Sequence, residues 1–151
     1  MTARIRLASP ADKPAWLAMR QALWPDEGDL SAGMDELLVR ENYRVWLAFD
    51  GDLAIGFAEA GLRPYANGCD SQPVPFLEGI WVRDGLRRRR IGAALIRFIE
   101  AFLTERGYRE LGSDTQIDNL ASQAAHIGWG FSETERVVYY RKDLTQAAQR
   151  L

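Results

Sequence analysis

The sequence predicts an α+β fold with one β-α-β crossover. Residues 75–95 read PFLEGIWVRDGLRRRRIGAAL. An apolar, β-rich run from Phe76 to Val82 meets a turn at Asp84-Gly85, then four arginines, then Ile91, Leu95, Phe98 and Phe102 at helical spacing. That is strand, basic turn, helix. Asp50-Gly51 lies between the strand-like runs 44–49 and 53–61 and signals a hairpin. The whole chain orders as strand, helix, helix, hairpin, strand, helix, strand, helix, strand.

Residues 4–7 alternate as a first strand. Asp12 is placed to cap a helix whose first turn tolerates Pro14. Trp16, Met19 and Leu23 share one face and read as core, and Trp24-Pro25 ends that helix. Asp26, Glu27 and Asp29 follow in a loop, and a second helix is expected over 32–41. Residues 62–72 hold Pro64, Tyr65, Asn67-Gly68 and Asp70, a long polar loop with an aromatic. After the central unit the helix stops near Arg106 with Gly107 as its C′ residue. A strand is expected over 110–115. A short helix over 120–127 is capped by Asp118 or Asn119, and Gly128 and Gly130 close it. Phe131 and 136–142 read as strands, and 145–151 as a frayed tail.

The 151 residues suit a single domain spanning 1–151 with a full core, and 47% apolar with 26% charged residues is ordinary for a globular protein. A net charge of −2 gives no footprint for nucleic acid or an anionic membrane. The one cysteine, Cys69, cannot form an internal disulfide and fits a reducing compartment. No apolar run approaches membrane-spanning length and no signal peptide opens the chain, so a cytoplasmic location is expected. No metal-ligand cluster is read.

The basic turn carries the first chemical signal. A helix N-terminus presents unpaired N–H groups and a positive dipole end, which favour an anion such as a phosphate. The arginines add charge, and Gly92 lets backbone approach a ligand. A solvated basic turn before an ordinary amphipathic helix is the alternative. Arg87-Arg88-Arg89-Arg90-Ile91-Gly92 resembles the acyl-CoA motif of the GCN5-related N-acetyltransferases, Gln/Arg-x-x-Gly-x-Gly/Ala. Arg87 takes the first position and Gly92 the last. Arg90 stands where the family usually has glycine, a change that ordinary helical φ/ψ at Arg90 would accommodate. The resemblance implies that family's fold: a mixed central sheet whose splayed strands admit the pantetheine arm, flanked by helices. It implies acetyl-CoA as co-substrate, held by the backbone of Ile80, Trp81 and Val82, by Arg87, Arg88, Arg89, Arg90, Ile91, Gly92 and Ala93, and by Asn119.

Asn119-Leu120-Ala121 followed by Gly130-Phe131 resembles a second block of the family. There the usual tyrosine, able to protonate the departing thiolate, is replaced by His126. Histidine can also donate a proton, and a histidine simply satisfied on a short helix is the competing reading. Five further blocks resemble the aminoglycoside 6'-N-acetyltransferases of the chromosomal Gram-negative kind: Gln21-Ala22-Leu23-Trp24-Pro25, Asn67-Gly68-Cys69-Asp70-Ser71, Phe76-Leu77-Glu78-Gly79-Ile80, Ser113-Asp114-Thr115 and Thr134-Glu135-Arg136. That resemblance implies antibiotic contacts at Trp24, Tyr65, Glu78, Asp114 and Glu135, with Glu27 standing where relatives can carry histidine. It also implies a homodimer.

The chemistry agrees with the resemblance. A polycationic substrate needs carboxylates, and Glu78, Asp114 and Glu135 sit at or near strand ends. Direct transfer needs a neutral amine, so a base must take its proton. Glu78, in an otherwise apolar strand, is the expected base, with Asp114 beside it in the catalytic set. Backbone N–H groups of residues 80–82 would polarise the thioester carbonyl. Taken singly, Glu78 also reads as a carboxylate bonded to backbone or arginine, and Asp114 as a turn cap. No nucleophile is required, and Cys69 reads as structural. The expected activity is acetyl transfer from acetyl-CoA to the 6' amine of aminoglycosides in a ternary complex, giving resistance. The rivals are transfer to another amine and a non-catalytic acyl-CoA sensor.

Overall fold

The computed structural model describes residues 2–145. Four antiparallel strands run in the order β1 (Arg4–Leu7), β2 (Tyr43–Asp50), β3 (Leu53–Arg63) and β4 (Val74–Val82). The β2–β3 hairpin closes across the pair Asp50–Leu53, with Gly51 at φ +57° supplying the positive φ that so short a loop requires. Period-2 alternation sends Val45, Leu47 and Phe49 to one face of β2, and Trp46 and Ala48 to the other.

Helices cover both faces. On one side lie α1 (Lys13–Leu23) and α2 (Met34–Val39), which bury Trp16, Met19 and Met34 against the first set. On the other lies α3 (Ile91–Glu105), whose Ile91, Leu95, Ile96, Ile99 and Leu103 pack on Trp46, Ala48 and Ile55. At about 1.5–3 kcal/mol per fully buried large side chain, these two clusters are the main favourable term of folding. Gly107, at φ +82°, follows the end of α3 as expected. The last helix, α4 (Leu120–Gly128), is capped by Asn119, whose Oδ1 accepts from the Ser122 N–H at 3.1 Å.

Several expectations are corrected. The second helix is shorter than 32–41, because Gly33 is left-handed at φ +78° and starts it late. Asp12 caps the single 3-10 turn Pro10–Asp12, in a capping box with Ser9, and not α1 itself, to which its side chain makes no cap bond. Its carboxylate accepts from the Ser9 N–H at 2.7 Å and pairs with Arg6 at 2.7 and 2.9 Å. The expected strand over 110–115 is a single parallel bridge, Phe76–Gly112, with N···O distances of 2.8 and 2.9 Å. That bridge completes the β4-α3 crossover and makes the pairing mixed. Phe131 and 136–142 form no strand among the described residues. Their β-rich composition has no sheet partner there, and strand propensity is realised only by pairing and packing. Of the expected tail, 146–151 lies outside the described residues.

Candidate active site

Glu78 is positioned by a bulge. Glu59 pairs with Gly79, but Ala60 pairs with Leu77, so Glu78 is the extra residue of β4. Leu77 stays in the α3-side core, while Gly79 lies under the Trp24 indole of the α1 side. A Cβ on Gly79 would come within 2.7 Å of two indole carbons. The bulge therefore turns an acid out of a strand that is otherwise core, beside an aromatic set by the end of α1.

The Glu78 carboxylate is held by Arg63, from the end of β3. Arg63 Nε donates to Oε1 at 2.8 Å and Nη2 to Oε2 at 2.7 Å. The arginine also stacks over Phe76, 3.6 Å from the ring centroid. The side chains remain 24% (Glu78) and 40% (Arg63) exposed, so the pair stands at a surface open to a ligand. The Glu78 hydrogen bonds raise the Arg63 pKa, and the fields of Glu78, Asp114 and Tyr139 add to the effect. Arg63 is thus a cation paired directly with Glu78 and lying within the field of Asp114. Asp114 is exposed, two residues beyond the Gly112 bridge.

The other expected substrate contacts stand further out. Glu135 lies beside Gly68, so segment 134–135 meets the loop that carries the exposed Tyr65. Glu110 pins that loop by accepting from the Asp70 and Ser71 N–H groups at 3.0 and 2.6 Å. Glu27 is exposed in the turn after Trp24, and its N–H donates to the Trp24 carbonyl at 3.2 Å. Cys69 packs on Gly112, and burial pushes its thiol pKa up, the opposite of an activated nucleophile.

A second carboxylate lies beneath the first. Glu59 is fully buried (0% exposed) and accepts from Trp16 Nε1 at 2.6 Å, Arg20 Nε at 2.8 Å and the Tyr43 hydroxyl. Burial and then the Glu59 charge push the Tyr43 phenol far above its usual range, so it stays a donor. Arg20 also lies 5.3 Å from the Trp16 ring and 5.4 Å from the Trp24 ring. The network so fixes Trp24 from below.

On the other side of β4 the chain turns through the arginines. Arg88 and Arg90 are left-handed, at φ +68° and +61°. Arg90 is therefore not helical as the sequence reading required. It occupies, at the N-cap of α3, the conformation that glycine takes most easily. Alternating φ signs over 88–90 curl the backbone into the kind of N–H concavity that binds anions, ahead of the first turn of α3. Arg87 pairs with Asp84 at 3.0 Å. Gly92 also has a packing reason for lacking a side chain. It is buried against Trp129, and a Cβ there would meet the indole at 2.9 Å. Beyond the Gly112 bridge, β4 has no second ladder among the described residues, so the outer edge of 78–82 is left unpaired there. On α4, His126 Nε2 lies 2.7 Å from Ser113 Oγ.

The fold that sets a bulged β4 between the left-handed arginine turn and the Glu78–Arg63 pair has counterparts in known proteins. The description of the Acetyltransferase (GNAT) family matches residues 13–131. The chain belongs to the GNAT acetyltransferase family. The aminoglycoside N(6')-acetyltransferase type 1 of Serratia marcescens is 47% identical over 134 residues, covering 86% of this chain and 92% of that one. The solved structure of AAC(6')-Iy with the bisubstrate analogue CoA-S-monomethyl-acetylneamine superimposes with a TM-score of 0.88 at 40% identity, over 95% of this chain and 99% of that one. AAC(6')-Ih from Acinetobacter baumannii gives a TM-score of 0.87 at 38% identity, over 95% and 99%.

Within this GNAT frame, sequence reading singled out Glu78 and Trp24 and passed over Glu59, Arg63, Tyr43 and Ser113, whose hydrogen bonds the structure shows. Glu59 carried a signal, since it is an acid inside the apolar run LAIGFAEAGL, just as Glu78 is in its own run. Arg63 and Ser113 carried none, because their partners are 15 and 13 residues away.

Proposed function

We propose that this chain transfers the acetyl group of acetyl-CoA to the 6' amine of aminoglycoside antibiotics by direct attack in a ternary complex, and so confers resistance. One observation carries the reading: the bulged Glu78 already holds a cation. Arg63 fills the place where a substrate ammonium would meet the carboxylate, with Asp114 sharing the field and Trp24 beside it. An amine arriving there exchanges with the guanidinium and loses its proton to Glu78 or Asp114 before attack. Trp24, Glu27, Tyr65 and Glu135 flank the antibiotic.

The residues fit the co-substrate. The concave turn of Arg87, Arg88, Arg89 and Arg90, with the N–H groups of Ile91, Gly92 and Ala93, suits a pyrophosphate. The open edge at Ile80, Trp81 and Val82 suits an amide-bearing arm and a polarised carbonyl. The Asn119 cap uses only the side-chain oxygen, leaving its amide nitrogen to donate.

The test is thiol release from acetyl-CoA with tobramycin, kanamycin, spermidine and a peptide, followed by mass spectrometry of the products. Turnover of kanamycin with the acetyl on the 6' nitrogen, and little N-acetylation of paromomycin, which bears a 6' hydroxyl, is the expected result. Preference for spermidine or the peptide would assign another amine, and no turnover would leave an acyl-CoA sensor. A homodimer is part of the proposal. Val138, Tyr139 and Tyr140 are 73%, 79% and 93% exposed, an apolar β-forming run suited to a second copy. Light scattering at micromolar concentration tests it. A cytoplasmic location, where acetyl-CoA is made, completes the reading.

A further inference from the structure

Glu59 is fully buried and stands opposite Gly79, at the pair where the β4 bulge begins. Every partner it has among the described residues is a donor. Oε1 accepts from Trp16 Nε1 at 2.6 Å and Arg20 Nε at 2.8 Å. Oε2 accepts from Arg20 Nη2 at 3.4 Å and from the Tyr43 hydroxyl. Two of these donors lead to the candidate site from opposite sides. Arg20 lies 5.4 Å from the Trp24 ring. Its Nη1 donates to the Leu30 carbonyl at 2.8 Å, so it also ties down the loop that carries Glu27. Tyr43 pairs with Gly61, two residues along β3 from Glu59 and therefore on the same face. A Cβ on Gly61 would lie 2.9 Å from the Tyr43 ring and 3.5 Å from Glu78 Oε1. The ring thus lies over bare backbone, and the Glu78 carboxylate comes to the same spot. Burial, then Glu59, then the Glu78 charge push the phenol pKa up, so the ring stands within the field of both acids.

We propose that Glu59 is the positioning residue of the amine site, setting Trp24 and the loop after it through Arg20, and the Glu78 carboxylate through Tyr43; the proposal rests on the acetyl-transfer reading above. Glu59 is sealed from solvent and acts only through these two side chains. A guanidinium bonded to both oxygens of a buried carboxylate is fixed in its plane, so Arg20 presents a defined face to the indole. A phenol whose hydroxyl is bound cannot turn its ring away from Gly61. One carboxylate in the middle of the sheet therefore sets the spacing between the aromatic and the acid that flank the amine. That spacing is held by strand pairing, not by the loops, which is what a pre-organised site requires. The α3 side is not involved, since α3 packs on the opposite face of the sheet. Changes at Glu59 should thus reach the amine and spare acetyl-CoA.

Each arm has its own variant. Arg20→Lys keeps the charge on Glu59 but loses the fork, and should raise the KM for kanamycin about tenfold with the KM for acetyl-CoA unchanged. Tyr43→Phe removes one oxygen, and should lower kcat about tenfold by letting Glu78 shift. Double-mutant cycles separate positioning from general loosening. In a Trp24→Ala background Arg20→Lys should change the kanamycin KM by less than about twofold, because the group it positions is gone. In a Glu78→Gln background Tyr43→Phe should likewise leave kcat within about twofold. Melting curves accompany every variant. If Arg20→Lys does not fold, the Tyr43→Phe cycle carries the decision. Wild-type kinetics in either folded variant, equal rises in both KM values, or effects undiminished in the double variants overturn the positioning role alone. A wild type that releases no thiol with any amine overturns the acetyl-transfer reading and the positioning role with it.

Discussion

Replacing Gly79 by alanine tests the contact that joins the bulged strand to Trp24, the proposed substrate aromatic. The added Cβ would lie 2.7 Å from Trp24 Cη2 and Cζ2 and 3.2 Å from a Leu23 methyl, against an ordinary contact of 3.4–4 Å. The indole must therefore withdraw by at least 0.7 Å, the shortfall from 2.7 to 3.4 Å. It cannot do so freely, because Arg20 sits 5.4 Å from its ring and Phe57 makes an edge contact at 6.3 Å. Overpacking of this kind costs about 1–3 kcal/mol, and at about 2–4 °C per kcal/mol for a chain of this size the melting temperature should fall by about 2–12 °C. Displacing the aromatic should also weaken the antibiotic. A loss of about 1 kcal/mol of contact raises its KM about fivefold, with the KM for acetyl-CoA changing less. Gly28→Ala is the control, since nothing lies within 4 Å of a Cβ there. Scanning fluorimetry and steady-state kinetics on both variants suffice. A Gly79→Ala enzyme that melts and turns over like the control would refute the placement of Trp24.

Three further outcomes are expected. Glu78→Gln should lower kcat by about 10²-fold or more and remove an acidic limb from the pH–rate profile. Its stability should change by about 1 kcal/mol at most, since Arg63 is exposed enough to rehydrate; unchanged kcat and KM would take Glu78 out of the reaction. Arg90→Gly relieves a left-handed φ worth about 1–2 kcal/mol and adds unfolded-chain freedom worth about 0.5–1 kcal/mol, so the melting temperature should rise slightly, and a fall would contradict the strain. The Arg6 hydrogen bonds hold the Asp12 carboxyl down at about 2, so that contribution is complete above the unfolded carboxyl pKa near 4 and is lost as pH falls toward 2. The melting gap between wild type and Asp12→Asn should accordingly be widest near neutrality and shrink below pH 4.

What sequence and structure each decide follows from the range of each interaction. Local rules delivered the hairpin at Asp50-Gly51, the stop at Gly107 and the Asn119 cap, because positive φ and capping bonds are decided within a few residues. Periodicity placed Ile91 and Leu95 of α3 in the core, but Phe98 of the same stripe is half-exposed, because the docking of α3 buries a face centred on Leu95, Ile96 and Ile99. The family resemblance delivered the fold and named the candidate site residues. Depth and register lay outside all of these. Two acids in apolar runs looked alike, yet Glu59 is sealed under Trp16, Arg20 and Tyr43 while Glu78 is turned out by a bulge that exists only in the pairing of β3 with β4. Gly92 read as room for a ligand, and the structure adds a demand the sequence did not show, room for Trp129, a residue 37 positions away. The left-handed Arg90 and the Ser113–His126 pair are likewise set by how α3 and α4 close on β4. The sequence by itself determined which residues could carry charge, turn the chain or face a core. Which of them meet was decided only by the tertiary structure, because strand register and helix docking are summed over contacts distant in the chain and no single residue encodes them.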